Sequence, residues 1–453
     1  MKKKLLNLIL STSFLIFNSP LHAQWSELGG LNGLAATDAI WSICSDVSGN
    51  IYTGGDFRNS SLNEYVAQWD GTAWSEVGGL NGLSANSHIN SVCSDASGNI
   101  YAGGYFTNMT GNEYVAKWNG STWNELGGLN GLAANERILS VCSDASGNIY
   151  TAGFFTNSSG KKYVAKWDGT VWSELGGLNG LAANDYIRFI CIDASGNIYA
   201  GGGFTNSLGN RYVAKWNGTT WSELGGLNGL AANERILSIC IDTSGNIYAG
   251  GTFTNSSGNM YVAKWNGTAW SELGGLNGLA ANNNIYVCSD ASGNIYAGGN
   301  FTNSMGKSYV AKWNGTVWSE LGGLNGLAAN NFIISVFSDA SGNIYSGGYF
   351  TNSLGKKYVA KYSSIVGLDE LQDPDEILSI FPNPSSGSFN VYLNDKQVKS
   401  DRELKIFDLR GKKVYSATLS SPLQMLNLSL SKGVYFLEVT AGEKIFTRKL
   451  MVQ

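Results

Sequence analysis

One unit recurs along this chain, starting at Trp25, Trp74, Trp123, Trp172, Trp221, Trp270 and Trp318, at steps of 49, 49, 49, 49, 49 and 48 residues. A fixed period in this range means that each unit is one supersecondary element. It cannot bury its apolar face alone and must stack on its neighbours. In the copy after Trp221, 236–241 is a short apolar run closed by Asp242, and Thr243-Ser244-Gly245-Asn246 is a turn cluster. The segments 247–253, 261–265 and 269–273 read as further strands, with Asn266-Gly267 between the last two as a tight hairpin turn with both residues at positive φ. No stretch keeps apolar residues at helical spacing for more than two turns, and glycine interrupts every candidate. Four short strands per unit predict a propeller blade.

The order of strands predicts closure. The first outer strand, at Trp25, precedes any inner strand, and the last unit stops after its third strand at 358–362. The N-terminal segment 25–30 should therefore complete the last sheet and cover edges that an open array leaves exposed. The expectation is all-β: a seven-bladed β-propeller over 24–364, closed by its N-terminal strand.

Residues 1–23 read as a removable signal peptide. Lys2, Lys3 and Lys4 form a charged start, 5–17 is an apolar run too short for a permanent span, and Ala23 offers a cleavage site. No Cys follows it, so a lipoprotein anchor is not expected, and no transmembrane segment is expected in the mature chain. Three of the thirty basic residues lie in that segment, leaving 27 against 34 acidic, net −7. A mildly acidic chain without a basic stripe makes nucleic acid an unsuited partner.

Six cysteines, Cys44, Cys93, Cys142, Cys191, Cys240 and Cys288, occupy one position of the repeat, and the seventh copy has Phe337. Packed sheets lie about 10 Å apart, whereas a disulfide wants Cα atoms within about 7 Å. A position that accepts Phe is an apolar packing position, so the expectation is six buried free thiols rather than three disulfides. The Trp pairs flanking each Asn-Gly or Asp-Gly turn, such as Trp265 and Trp270, invite a sugar-stacking role. Their recurrence in nearly every blade favours wedge-filling between blades instead.

Proline is absent from 24 to 373 and repetition stops after Tyr362. Residues 365–376, with Asp369, Glu370, Asp373, Asp375 and Glu376, read as an acidic linker. From 377 to 453 the segments 377–381, 388–393, 403–408, 413–419, 426–430, 433–440 and 444–452 read as strands of a small C-terminal β-sandwich. Phe381-Pro382-Asn383-Pro384, the run Leu404 to Lys412 containing Gly411, Gly433-Val434-Tyr435-Phe436-Leu437 and the closing Lys449 to Gln453 together resemble the type A sorting domain of the type IX secretion system of Bacteroidota. That resemblance implies export by the signal peptide, passage across the outer membrane by the secretion machinery, and a sortase that removes the domain. The passenger is then attached to surface lipopolysaccharide or released. The motifs Gly-Gly-x-Phe-Thr-Asn (250–255) and Val-Ala-Lys-Trp-Asn-Gly (262–267), followed by Trp-Ser-Glu-Leu-Gly, resemble kelch-like propeller repeats of secreted proteins of the same bacteria. This implies a fold and hardly an activity.

Repeated residues are poor catalysts, since acid–base pairs need two carboxylates in different environments. Glu27, Glu76, Glu125, Glu174, Glu223, Glu272 and Glu320 are expected to be solvated on outer strands. Asp46, Asp95, Asp144, Asp193, Asp242, Asp290 and Asp339 precede a Ser-Gly-Asn turn and are expected to bond its backbone. The alternating oxygen ligands of a calcium loop are missing, and no Gly-rich stretch opens a helix as a phosphate loop does. Outside the signal segment only His88 is available, so a multi-histidine zinc site is excluded. No metal or cofactor is expected.

What varies between copies carries more information. Just before the inner strand stand Asp38-Ala39, Ser87-His88, Glu136-Arg137, Asp185-Tyr186, Glu234-Arg235, Asn283-Asn284 and Asn331-Phe332. They should ring one mouth of the central channel, beside variable loops such as 108–113, 158–162 and 207–211. Drift at exposed sites explains such variation; so does a binding face, with Asp38, His88, Glu136, Arg137, Asp185, Tyr186, Glu234, Arg235 and Phe332 as its residues. The function expected is a secreted or surface-attached binding or adhesion protein for a glycan or protein ligand, not an enzyme, acting by multivalent contact. The alternatives are a structural surface repeat without ligand, and a polysaccharide hydrolase or lyase that would have to use Asp185, Tyr186, Arg188 and His88.

Overall fold

The computed structural model describes residues 24–30, 33–79, 82–363, 378–381, 388–393, 402–419, 423–441 and 444–452. The signal segment, the acidic linker and the Pro382-Asn383-Pro384 motif lie outside the described residues. The chain divides into two compact units, Met1–Ile365 and Val366–Gln453. No helix among the described residues is long and apolar enough to cross a membrane.

The first unit holds seven four-stranded antiparallel sheets. In the fifth blade Ile236–Ile241, Ile247–Gly251, Ala263–Trp265 and Trp270–Glu272 run in that order from the inner strand outward. The N-terminal strand Gln24–Glu27 joins the last sheet, with Trp25 opposite Tyr362 and Glu27 opposite Ala360. Trp25 Nε1 also donates to Leu321 O at 2.9 Å, in the preceding blade. Each inner strand packs on the next, and Ile333–Ser338 of the seventh blade packs on Ile40–Ser45 of the first.

The core is built between blades. One cluster joins Tyr199, Val213 and Leu224 of the fourth blade to Ile236, Ile247, Phe253 and Ala263 of the fifth. Its counterpart joins Tyr345 and Val359 of the seventh blade to Ile40, Ile51 and Phe57 of the first. Strand formers with small residues between them allow this. The Ile-Tyr-(Ala/Thr/Ser)-(Gly/Ala)-Gly strand is buried along its whole length in every blade, so small side chains there let neighbouring sheets approach.

Several expectations are corrected by this geometry. The three outer strands are shorter than their sequence runs. Phe253, for example, leaves the strand to bury its ring against Tyr261, centroids 4.9 Å apart. The Asn266-Gly267 turn is not a two-residue hairpin. Trp265 pairs with Trp270 across four residues, and only Gly267 has positive φ. Asn266 Oδ1 accepts from the N–H groups of Thr268 and Ala269, which stabilises the longer loop.

The outer-strand glutamates are not solvated. Glu223 receives both Nδ2 contacts of Asn206 at 3.2 Å and the N–H of Asn228 at 2.9 Å, and is half-buried. It ties two loops together. The turn aspartates act as expected: Asp242 accepts from Ser244 N, Asn246 N, Asn246 Nδ2 and the Tyr248 hydroxyl. The six cysteines are free as expected, but only Cys44 is buried and the other five are half-buried on the inner strands; desolvation still pushes their thiols up from the usual range.

The Trp pairs sit with centroids near 5.8 Å, and Trp270 Nε1 donates to Leu224 O of the previous blade at 2.9 Å. Gly225, at φ 92°, lies beneath them; a Cβ there would meet Trp265 at 2.9 Å and Trp270 at 3.2 Å. The Trp residues therefore stitch blades together.

The second unit has a three-stranded and a four-stranded antiparallel sheet sharing one core, with Phe389, Val391 and Leu426 facing Leu404, Leu437, Val439 and Leu450. One strand differs from its sequence reading: it spans Leu423–Asn427 rather than 426–430, because 423–427 is the register that pairs with Ser388–Leu393. Gly411, at φ 77°, closes a turn whose N–H groups at Arg410 and Lys412 donate to Asp408 Oδ1. Tyr435 donates its hydroxyl to Ser431 O at 2.8 Å, just before the strand that Gly433 opens.

Candidate functional site

The seven inner strands surround a cavity of about 470 Å³. Six of them carry a bulge after the first residue, as at Ile236 and Ser238, which leaves one extra residue unpaired. A bulge re-aims its side chain, and here Trp41, Asn90, Leu139, Arg188, Leu237 and Ile334 all line the cavity. The sixth blade, one residue shorter, has no such shift, and Tyr286 pairs directly with Gly298. Arg188 is the one charged residue among the described residues of this lining. Serines of the inner strands tie blades together: Ser91 Oγ accepts from Val141 N at 3.0 Å and Ser238 Oγ from Val287 N at 2.8 Å. In the fourth blade Phe189 replaces this serine.

The variable residues meet at one rim of this cavity. Each inner strand is entered beside the end of the second strand, as where Tyr105 N donates to His88 O and Phe154 N to Arg137 O. Two sets of varying side chains therefore interleave, one before each inner strand and one after each Gly-Gly or Ala-Gly. The outcome is a continuous arc over five consecutive blades.

Phe332 lies edge-on to Tyr349 at 6.2 Å, and Tyr349 to Trp41 at 5.9 Å. Trp41 Nε1 donates to Asp56 Oδ1 at 2.7 Å, and His88 Nδ1 is 2.6 Å from the same oxygen. His88 lies against Tyr105 at 5.4 Å, and the Arg137 guanidinium sits 4.6 Å from the Tyr105 ring and 5.5 Å from Phe154. Phe154 stacks on Tyr186 with centroids 4.7 Å apart. Burial pushes the Asp56 carboxyl up from its usual value, against the opposing pull of His88 and the Trp41 hydrogen bond.

The expected site residues divide accordingly. His88, Arg137, Tyr186 and Phe332 belong to the arc. Asp38 and Asp185 turn back on the chain, each accepting the next N–H at 2.7 Å, and Asp38 also lies 3.7 Å from Lys357. Glu136 pairs with Arg137 at 3.1 Å. Glu234 and Arg235 are exposed on the fifth blade, outside the aromatic chain. Sequence reasoning missed Trp41, Asp56, Tyr105, Phe154 and Tyr349. The signal was available: these positions also differ between otherwise near-identical copies, but the bulge that turns Trp41 inward is invisible in a strand pattern.

Half-buried aromatic faces next to charged groups can stack on a ligand ring and hydrogen-bond its polar substituents. No group of three or more His, Cys, Asp or Glu residues suited to a metal occurs among the described residues.

Similar solved structures include PorZ, described as an essential surface component of the type IX secretion system of Porphyromonas gingivalis. It is 13% identical, at a TM-score of 0.49 over 92% of this chain and 59% of PorZ. A fungal alcohol oxidase with copper matches at 12% identity and TM-score 0.46, over 92% of this chain and 97% of its own. The Aleuria aurantia lectin, solved with a fucose-containing disaccharide, matches at 16% identity and TM-score 0.39, over 62% of this chain and 94% of the lectin. This chain thus spans little more than half of PorZ. No curated protein sequence matches it. The family model described as "Secretion system C-terminal sorting domain" matches residues 379–453. With the ordered motifs and the sandwich fold already described, this makes residues 379–453 a secretion-system C-terminal sorting domain, carried behind seven four-stranded propeller blades.

Proposed function

We propose that this is a protein exported by the type IX secretion machinery to the cell surface or the extracellular space, where its kelch-like propeller binds a saccharide at the arc-lined mouth. The sorting domain supports the route. The observation that carries the binding role is the unbroken arc from Phe332 to Tyr186. The scaffold repeats almost unchanged, while the positions forming this arc differ from blade to blade. Half-buried aromatic rings interleaved with an aspartate, a histidine and an arginine suit a ring-shaped, hydroxyl-rich ligand. The role is binding rather than turnover: the repeated carboxylates are engaged in turns and loop ties.

A saccharide-array screen of the full chain, with product analysis of every hit, tests this. Binding without turnover supports it. Turnover favours a polysaccharide-active enzyme, binding only to proteins replaces the saccharide by a protein partner, and a complete blank favours a structural surface repeat.

A further inference from the structure

The fourth blade breaks the repeat at four places at once: Tyr186, Arg188, Phe189 and Gly203. All four bear on one spot. Gly203 stands where other blades have Asp56, Tyr105 or Phe154. A Cβ there would meet Asp185 Oδ2 and Tyr186 Cε1, each at 2.7 Å. Its absence lets the Tyr186 ring settle over the backbone and stack on Phe154.

Three arginines lie at this part of the rim: Arg188 two residues after Tyr186, Arg235 at the position equivalent to Tyr186 in the next blade, and Arg211 bridged to Ala232 just before it; their charges also act on the Tyr186 hydroxyl. Arg188 reaches into the cavity from a bulge, among neutral residues, and makes no hydrogen bond or ion pair with any described residue. Arg211 is held by Asn233 O at 2.7 Å through Nη1, while its Nε is buried without a hydrogen-bond partner. A half-buried guanidinium facing the cavity without a partner, next to a second whose Nε is unpaired, is matched by a planar anion that accepts two hydrogen bonds at once.

We infer that Arg188, with Arg235 and Arg211, forms a carboxylate subsite at the channel mouth, and that the ligand is a uronic-acid saccharide whose ring lies against Tyr186. This rests on the saccharide-binding role proposed above and adds the charge of the ligand. The carboxylate oxygens of Asp185, beside Gly203, can accept sugar hydroxyls. A fatty acid would leave them unmatched, and a nucleic acid would need a longer run of cations than this one cluster.

The test is calorimetric titration of the full chain with oligogalacturonate and oligomeric alginate, and with the methyl esters of the same oligomers, which keep the rings and remove the charge. The expected result is at least about tenfold tighter binding of the acids, the effect of one charge-assisted contact. Arg188→Gln should erase most of that preference, weakening the acids at least about tenfold and the esters by much less. Arg235→Gln, at an exposed position, should weaken acid binding in the same direction and guards against misfolding of the first variant. Tyr186→Ala should weaken acids and esters alike. Equal affinity for acids and esters, or an acid preference that survives both arginine variants, overturns the carboxylate subsite and leaves the saccharide role standing. Failure of every oligomer to bind overturns the inference; if the array screen is also blank for saccharides, the wider role falls with it.

Discussion

Replacing Trp25 by Ala tests whether the N-terminal strand is an integral part of the last blade. The Trp25 ring lies 5.5 Å from Tyr362 and 3.3 Å from where a Cβ on Gly322 would stand, and its Nε1 donates to Leu321 O. A Trp side chain presents about 150–250 Å², so covering half of it at about 25 cal/mol per Å² contributes about 2–3 kcal/mol. The indole hydrogen bond adds about 1 kcal/mol. Residual burial in the unfolded chain trims the sum, leaving an expected loss of about 2–4 kcal/mol. That is a large part of a typical domain stability of about 5–15 kcal/mol.

Trp172 makes the same contact in mid-ring, donating to Leu126 O at 2.8 Å, so Trp172→Ala is the matched control. Urea unfolding of the full chain, followed by near-ultraviolet circular dichroism, should show comparable losses for both variants. Trp25→Phe keeps most of the packing and should lose only about 1 kcal/mol. If Trp25→Ala stays within about 0.5 kcal/mol of the parent, the range of an ordinary surface change, while Trp172→Ala costs several times more, the N-terminal strand does not complete the last blade.

Three further outcomes follow from the repeat. Asp242→Ala removes four donors' acceptor at once and should cost about 2–3 kcal/mol in urea unfolding, the scale of lost hydrogen bonds to a charged group. Burial opposes ionisation of Asp95, Asp144, Asp193, Asp242 and Asp290, but the hydrogen bonds from their Asn and Tyr partners win and hold these carboxyls below the usual value. Their stabilisation is present above about pH 4 and lost as pH falls through the folded values, while the partner tyrosines, raised by burial and by the shared aspartate, contribute below about pH 10 and lose it as pH rises. The melting temperature should therefore fall on both sides of that window, and a curve flat from pH 3 to 6 would contradict the acidic limb. Unfolding without reductant should release six titratable thiols, from the free cysteines of the inner strands; none would mean disulfides.

The period, the four strands per unit and the displaced first strand were all legible, because each rests on spacing alone. The C-terminal sandwich was legible from alternation and turn residues, apart from a shift of three residues at Leu423–Asn427. The four-residue Asn266 loop was not, since Asn-Gly fits both a two-residue turn and a side-chain-bonded loop. Glu223 misled because its partners Asn206 and Asn228 come together only when two loops fold onto one outer strand. At the mouth, variation between copies pointed to His88, Arg137, Tyr186 and Phe332. The same signal at Trp41 and Phe154 went unread, because their meeting depends on a bulge and on contact between neighbouring blades.

The most direct test of the account is hydrogen–deuterium exchange of the full chain with and without a saccharide taken from the array screen. Under the proposed function recognition lies at the mouth arc, while the Trp pairs join neighbouring blades. Protection should therefore concentrate in residues 329–334, 36–41, 85–90, 134–139 and 183–188 and in the segments after each second strand of those blades. Protection concentrated at the outer hairpins, such as 265–270, or spread evenly over all seven blades, would contradict it.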